Sequence, residues 1–214
     1  MLTAHGGAEN TGRNTYKYFD AMKTRKMEAI EVDIHRVGGE LVIAHIMPSL
    51  IKSRRIPLRY VFEYCKEHGF MVNCDVKATG LVKYVVALAE EIGVTDKVYF
   101  TGSVSAKDLK DLGSTIAYMN ELFFILKYPL SVENLPKIKE YLESFGIPNV
   151  KGINVSYTRV NDKILKKAQE IGLGVSLFTI DNEEKLKEYL QYDLDNITTN
   201  LIDKAIELRE EIAR

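Results

Sequence analysis

Residues 70–93, FMVNCDVKATGLVKYVVALAEEIG, hold one complete structural unit. Residues 70–76 form a short run of β-forming side chains. Residues 81–92 then place Val85, Leu88, Ala89 and Ile92 three or four apart, on one face of a helix that Gly93 ends. The same alternation runs outward to both chain ends. Strands are expected at 2–5, 29–34, 41–45, 70–76, 97–101, 115–120, 151–155, 174–179 and 195–199, and helices at 15–25, 58–67, 81–92, 106–112, 132–145, 162–171, 183–190 and 201–212. The 41–45 run follows Gly38-Gly39, a tight reversal, and is read as an extended piece added to the second strand. Eight strands remain, each followed by a helix. Parallel strands need crossover connections, so the expectation is an α/β fold, a TIM (β/α)8 barrel, as a single domain over residues 1–214.

Composition narrows the function classes. In 214 residues, 29 Lys+Arg against 30 Asp+Glu leave a net charge of -1. No basic block stands out, which removes the electrostatic basis for a nucleic-acid partner. The longest apolar run, Tyr84 to Ala89, falls far short of the ~20 residues that a membrane-spanning helix needs. The first residues show no basic stretch leading into an apolar one, so no secretory signal is expected. Cys65 and Cys74 suggest neither a disulfide framework nor a zinc site, and a cytoplasmic location is the simplest expectation. The oligomeric state is not legible.

In a parallel barrel, polar residues at the strand C-terminal ends face the active-site side. Here that set is chemically coherent: His5 ends the first strand, Glu31 and Asp33 lie on the second, and Asp75 and Lys77 on the next. Alternation puts the two members of each pair on one strand face. Unpaired carboxylates in a barrel interior are costly, so something positive belongs between them. A hard divalent cation, Mg2+ or Ca2+, suits an all-oxygen donor set, with Lys77 adding charge nearby. A structural salt bridge to Lys77 or an arginine explains the same residues equally well. His5 and His45, both at ends of extended segments, are candidates for moving protons on either side of a cleaved ester. His35 and His68 are read as structural or surface side chains. Glu121 is a further candidate carboxylate, and 122–126, Leu-Phe-Phe-Ile-Leu, is read as core packing in preference to an apolar lip. Asn10 or Thr11 is expected to cap the first helix, and Glu9 to fix the loop or reach the site.

Three stretches carry a family likeness. Ala4-His5-Gly6-Gly7-Ala8-Glu9-Asn10-Thr11, then Ile30-Glu31-Val32-Asp33, then Gly39-Glu40-Leu41-Val42-Ile43-Ala44-His45 resemble the signature of the glycerophosphodiester phosphodiesterases in order and spacing. Asn73-Cys74-Asp75-Val76-Lys77, residues 175–181 and residues 195–200 resemble the family's later strand ends, so the likeness spans nearly the whole chain. It implies a TIM barrel, His5 and His45 as the acid/base pair, and Glu31, Asp33 and Asp75 as ligands of Mg2+ or Ca2+. It also implies Lys77 as a phosphate contact; Glu121 and Phe178, at other strand ends, are further candidates for substrate binding. The implied reaction hydrolyses a small-molecule glycerophosphodiester to sn-glycerol 3-phosphate and an alcohol, through attack of the glycerol 2-hydroxyl and a cyclic phosphate.

The chain departs from that pattern at four places. Gly6 stands where the family carries an arginine after the first histidine, with Lys77 or Arg13 as candidates to compensate. Ile46 stands where an aspartate follows the second histidine, Asp75 replaces a glutamate, and 46–69 is brief for the family's insertion over the glycerol site. These departures keep two other readings open: a barrel that only binds a phosphodiester, and a related phosphodiesterase acting on a lysophospholipid or a cell-wall polymer fragment.

Overall fold

The computed structural model describes residues 1–49 and 51–213. Ten strands occur among them: β1 (Leu2–Ala4), β2 (Ala29–Val37), β3 (Glu40–Ile43), β4 (Ile56–Pro57), β5 (Met71–Val76), β6 (Val98–Gly102), β7 (Ile116–Asn120), β8 (Val150–Ser156), β9 (Gly174–Phe178) and β10 (Asn196–Thr199). Eight of them run in parallel in the order β1-β10-β9-β8-β7-β6-β5-β2, and pairing of β1 with β2 closes the barrel. β3 pairs antiparallel with β2 through the Gly38-Gly39 turn, and the two-residue β4, which the sequence did not suggest, pairs with β3. The (β/α)8 expectation and the removal of the third extended run from the barrel both hold.

The helices are α1 (Tyr16–Met22), α2 (Leu58–His68), α3 (Val82–Ile92), α4 (Leu135–Glu143), α5 (Asp162–Glu170), α6 (Glu183–Tyr189) and α7 (Ile202–Ile212). The helix expected over 106–112 is only a 3-10 turn, Leu109–Asp111. Asp108 explains this: its carboxylate accepts from the backbone N–H and hydroxyl of Ser105 and from Gly80 N–H, a local turn that competes with helix nucleation. The cap of α1 is Thr15, which accepts from Tyr18 N–H, while Asn10 and Thr11 lie in or beside an earlier 3-10 turn. Glu9 turns outward to α7, accepting from Asp203 N–H at 3.0 Å.

Alternation along each strand separates two environments. Ile30, Val32, Ile34, Val72, Cys74 and Phe100 face the helices in the main apolar core. The interior side instead carries buried Thr3, Glu31, Asn73, Thr101, Asn154, Ser176, Asn196 and Thr198. Hydrogen bonds satisfy this polar interior, among them Thr3 to Asn196 (2.6 Å), Thr101 to Asn73 (2.8 Å) and Ser176 to Asn154 (2.9 Å). Ala29, Tyr99 and Tyr118 form a small apolar plug apart from the main core. No helix among the described residues is long and apolar enough to cross a membrane. Cys65 and Cys74 are both buried free thiols.

Candidate active site

Register brings the acidic residues together. In the β2–β5 ladder Glu31 lies opposite Asn73 and Asp33 opposite Asp75, and β5–β6 pairing sets Asp75 beside Thr101. One carboxylate oxygen from each of Glu31, Asp33 and Asp75 lies within 4.8 Å of the other two. Gly102 gives Asp75 its room, since a Cβ there would collide with Asp75 Oδ1 and stand 2.6 Å from Val76 O. Lys77, held by its N–H to Ile34 O, extends the ladder and reaches both neighbours. Its Nζ pairs with Asp33 Oδ1 and lies 2.7 Å from Asp75 Oδ2. The metal and salt-bridge readings of these residues are therefore not exclusive: Lys77 occupies one side of the group.

Loops add the remaining partners. The β1–α1 loop folds back so that Gly6 N–H donates to Glu31 Oε2 at 2.6 Å and Asn14 N–H donates to Gly6 O. Asn14, in the left-handed region at φ 52°, is buried. It donates to Asp33 Oδ2 at 2.7 Å and accepts from Asp33 N–H at 3.2 Å. The β2–β3 hairpin returns the chain to its start: Ala44 N–H donates to Asp33 O, and the next residue, His45, sets Nδ1 3.2 Å from Asp33 Oδ2. Asp33 thus orients the ring that Ile46 cannot. Arg13 approaches the same imidazole, with Nη1 2.8 Å from Nδ1 and 2.5 Å from Nε2.

His5 lies across the mouth. Asn200 donates through its backbone and side-chain nitrogens to Asp181, at 2.8 and 2.7 Å, which leaves Asn200 Oδ1 to accept from His5 Nδ1 at 3.0 Å. That fixes the Nδ1–H tautomer and leaves His5 Nε2, 3.9 Å from Glu31 Oε2, with a free lone pair toward the carboxylates. A small cavity of about 60 Å³ at this point is lined by His5, Glu31, Asn73, Asp75 and Phe178, among others. Glu121 stands apart from that lining: it is buried and pairs with Arg159 Nε at 3.3 Å, with its Oε2 unpartnered. His35 is half-buried on β2 with Nε2 unpartnered, and His68 packs its ring on Tyr64.

The electrostatics mark a site short of positive charge. Burial, then the charges of Asp33 and Asp75, push Glu31 well above the usual carboxylate range, against the Gly6 N–H and Lys77. Burial also raises Asp75 despite Lys77. Asp33 is buried too, yet Lys77, Asn14 and His45 together hold it below its ordinary value. Burial lowers Lys77, but Asp75 and Asp33 more than offset this and raise it. His5 is lowered, chiefly by burial, so the ring is neutral near pH 7. A convergent, all-oxygen, under-neutralised group fits a hard divalent cation.

Comparison with solved structures places this architecture. A glycerophosphodiester phosphodiesterase from Parabacteroides distasonis superposes with a TM-score of 0.76 at 14% identity, covering 100% of this chain and 98% of the other. The fold is that of the glycerophosphodiester phosphodiesterases. An Oleispira antarctica phosphodiesterase, solved in complex with the product sn-glycerol-3-phosphate, matches with a TM-score of 0.72 at 18% identity over 98% of this chain and 96% of its own. A glycerophosphodiester phosphodiesterase from Agrobacterium tumefaciens gives 0.71 at 15% identity, with 98% of each chain covered. No protein-family model and no curated protein sequence matches the chain. Asn14 is the site partner that the sequence leaves unremarked, while Asn200 and Asp181 stand out only as ends of the 195–200 and 175–181 stretches. Asparagines in loops ordinarily read as turn or cap residues, so only their partners reveal them.

Proposed function

We propose that the barrel mouth is the active centre of a divalent-cation-dependent phosphodiesterase that converts a glycerophosphodiester to sn-glycerol 3-phosphate and an alcohol. The observation that carries this reading is the convergence of Glu31, Asp33 and Asp75 within 4.8 Å of one another, with His5 and His45 each within hydrogen-bonding or ion-pairing reach of that group. Glu31, Asp33 and Asp75 would hold Mg2+ or Ca2+, which supplies polarisation of the phosphoryl oxygens and offsets their developing charge.

The chain's own groups divide the proton work. His5, neutral and with Nε2 bare, takes the proton of the attacking glycerol 2-hydroxyl as its oxygen bonds to phosphorus. The bond from phosphorus to the alcohol oxygen breaks, and His45, oriented by Asp33, gives that oxygen a proton. Water then opens the cyclic phosphate with the two imidazoles in exchanged roles, which restores both rings. Lys77 holds Asp33 and Asp75 in place and brings positive charge to the phosphate, and Phe178 forms part of the wall.

A lysophospholipid is a second reading of the substrate. Ile46 and Met47, directly after His45, are 76% and 79% exposed, and Leu122 and Leu126, after β7, are 71% and 97% exposed. All four follow segments that end on the mouth side, where apolar side chains suit an acyl chain. The 122–126 run is therefore divided, with Phe124 in the core and Leu122 and Leu126 in solvent.

The test is phosphorus NMR of the full chain incubated with glycerophosphocholine, glycerophosphoethanolamine and a lysophosphatidylcholine, with Mg2+ or Ca2+ and with chelator. The expected result is release of sn-glycerol 3-phosphate or a cyclic or lyso-phosphatidic product that chelation abolishes. His5→Ala and His45→Ala are each expected to slow it by about 10²–10⁴-fold. Hydrolysis that persists in both variants contradicts the assignment.

A further inference from the structure

Position 6 is tight for any side chain, because Glu31 packs directly against it. A Cβ on Gly6 would stand 3.0 Å from Glu31 Oε2 and 3.1 Å from Glu31 O, and the Gly6 N–H is already committed to that carboxylate. The same loop supplies a guanidinium from another position. Asn14 N–H bonds to Gly6 O, which brings residue 13 back over the start of the loop, and a Cβ on Gly7 would meet the Arg13 stem at 2.9 Å. From there Arg13 reaches both ring nitrogens of His45, and its charge adds to the lowering of His5. It also borders a cavity of about 540 Å³ lined by Glu9, Asn10, Asp181 and Asn200.

Charge points the same way. Arg25, Arg59, Arg159 and Arg209 each pair with a carboxylate, and Lys77 is held by two. Among the described residues Arg13 has no carboxylate within ion-pairing distance, although three carboxylates lie in the adjoining site. With all three ionised, Lys77 leaves two negative charges, which a divalent cation neutralises. A phosphodiester then arrives as an extra anion, and Arg13 brings to it a positive charge that no carboxylate among the described residues already pairs.

Resting on the phosphodiesterase reading above, we propose that Arg13 is the phosphate-binding arginine of this chain, relocated from the position after the first histidine to the far end of the same loop. Arg13 rests on His45, and an arriving phosphate takes its N–H groups in a forked contact, which frees the imidazole to act on the leaving oxygen.

The test is calorimetric titration of the full chain with inorganic phosphate at saturating Mg2+, alongside KM and kcat for a glycerophosphodiester. Arg13→Ala is expected to bind phosphate about tenfold more weakly and to raise KM, with Arg13→Lys intermediate. Arg59→Ala, which loses a surface pair with Glu91, is expected to match the wild type. Because Arg13 is exposed, the thermal midpoint of Arg13→Ala should be unchanged. Equal phosphate affinity in the wild type and Arg13→Ala overturns the proposal, as does a wild type that binds no phosphate. Arg13-dependent phosphate binding without turnover of any diester upholds the assignment of Arg13 and removes the hydrolase reading. Intact turnover with an Arg13→Ala variant that binds phosphate normally does the reverse.

Discussion

Asn200 sets its side-chain oxygen 3.0 Å from Nδ1 of His5 while both of its nitrogens are bound to Asp181. The amide is thereby fixed in orientation, and through it the imidazole tautomer. Asn200→Ala is expected to lower kcat by about 10–100-fold with little change in KM, as for other groups that orient a reacting side chain. Nitrogen NMR of His5 supplies the second readout: the wild type should hold the proton on Nδ1, and the variant should populate both tautomers.

The titration of His5 follows from its surroundings. Burial disfavours the charged ring, the bond to Asn200 works against this, and Arg13 adds to the depression. In the cation-free protein, proton NMR should show His5 titrating below the ordinary 6.5. The native state then binds fewer protons than the unfolded chain, so this ring lowers stability as pH falls through the unfolded imidazole value. A midpoint above 6.5 would contradict the burial argument.

Glu31 behaves in the opposite sense. Its raised native pKa means that, without a cation, folding becomes less favourable as pH rises from the ordinary 4.5 toward the native value. Glu31→Gln keeps an oxygen to accept from Gly6 N–H and removes the charge that Asp33 and Asp75 repel. The variant should lose divalent-cation binding yet melt higher at pH 7 when cation-free, by about 2–4 °C for each ~1 kcal/mol relieved. Calorimetric melting of both proteins with and without chelator checks this.

Gly102 links barrel packing to the site. Its φ is +81° and its α-carbon lies against Asp75. Gly102→Ala is expected to cost about 1–3 kcal/mol, from backbone strain and displacement of Asp75, and to weaken cation binding together with stability. Denaturant unfolding and cation titration measure the two effects. A variant with wild-type values for both would show that Asp75 does not depend on this close approach.

The sequence made the barrel legible because each βα unit repeats the same change of period, from two in the strand to 3.6 in the helix. Residue pairs two apart, Glu31 with Asp33 and Asp75 with Lys77, are brought to one strand face by alternation alone, and neighbouring strands place them side by side. The misses have local causes. Two residues of β4 are too few to carry a pattern, and the 106–112 periodicity was outweighed by the Asp108 turn. Asn14 and Asn200 act through loop conformations and partners 19 or more residues distant, which no short-range spacing records. The Thr, Asn and Ser residues inside the barrel are joined into hydrogen-bonded pairs only by strand register, which spans partners 20 or more residues apart.

The central claim is that Glu31, Asp33 and Asp75 jointly hold one divalent cation. Electron paramagnetic titration with Mn2+, a spectroscopic substitute for Mg2+, measures this on the full chain. The account predicts one bound ion per wild-type chain, displaced by Mg2+ or Ca2+, and at least tenfold weaker binding in Asp33→Asn. One ion bound with unchanged affinity in Asp33→Asn, or no ion bound by the wild type, would contradict it.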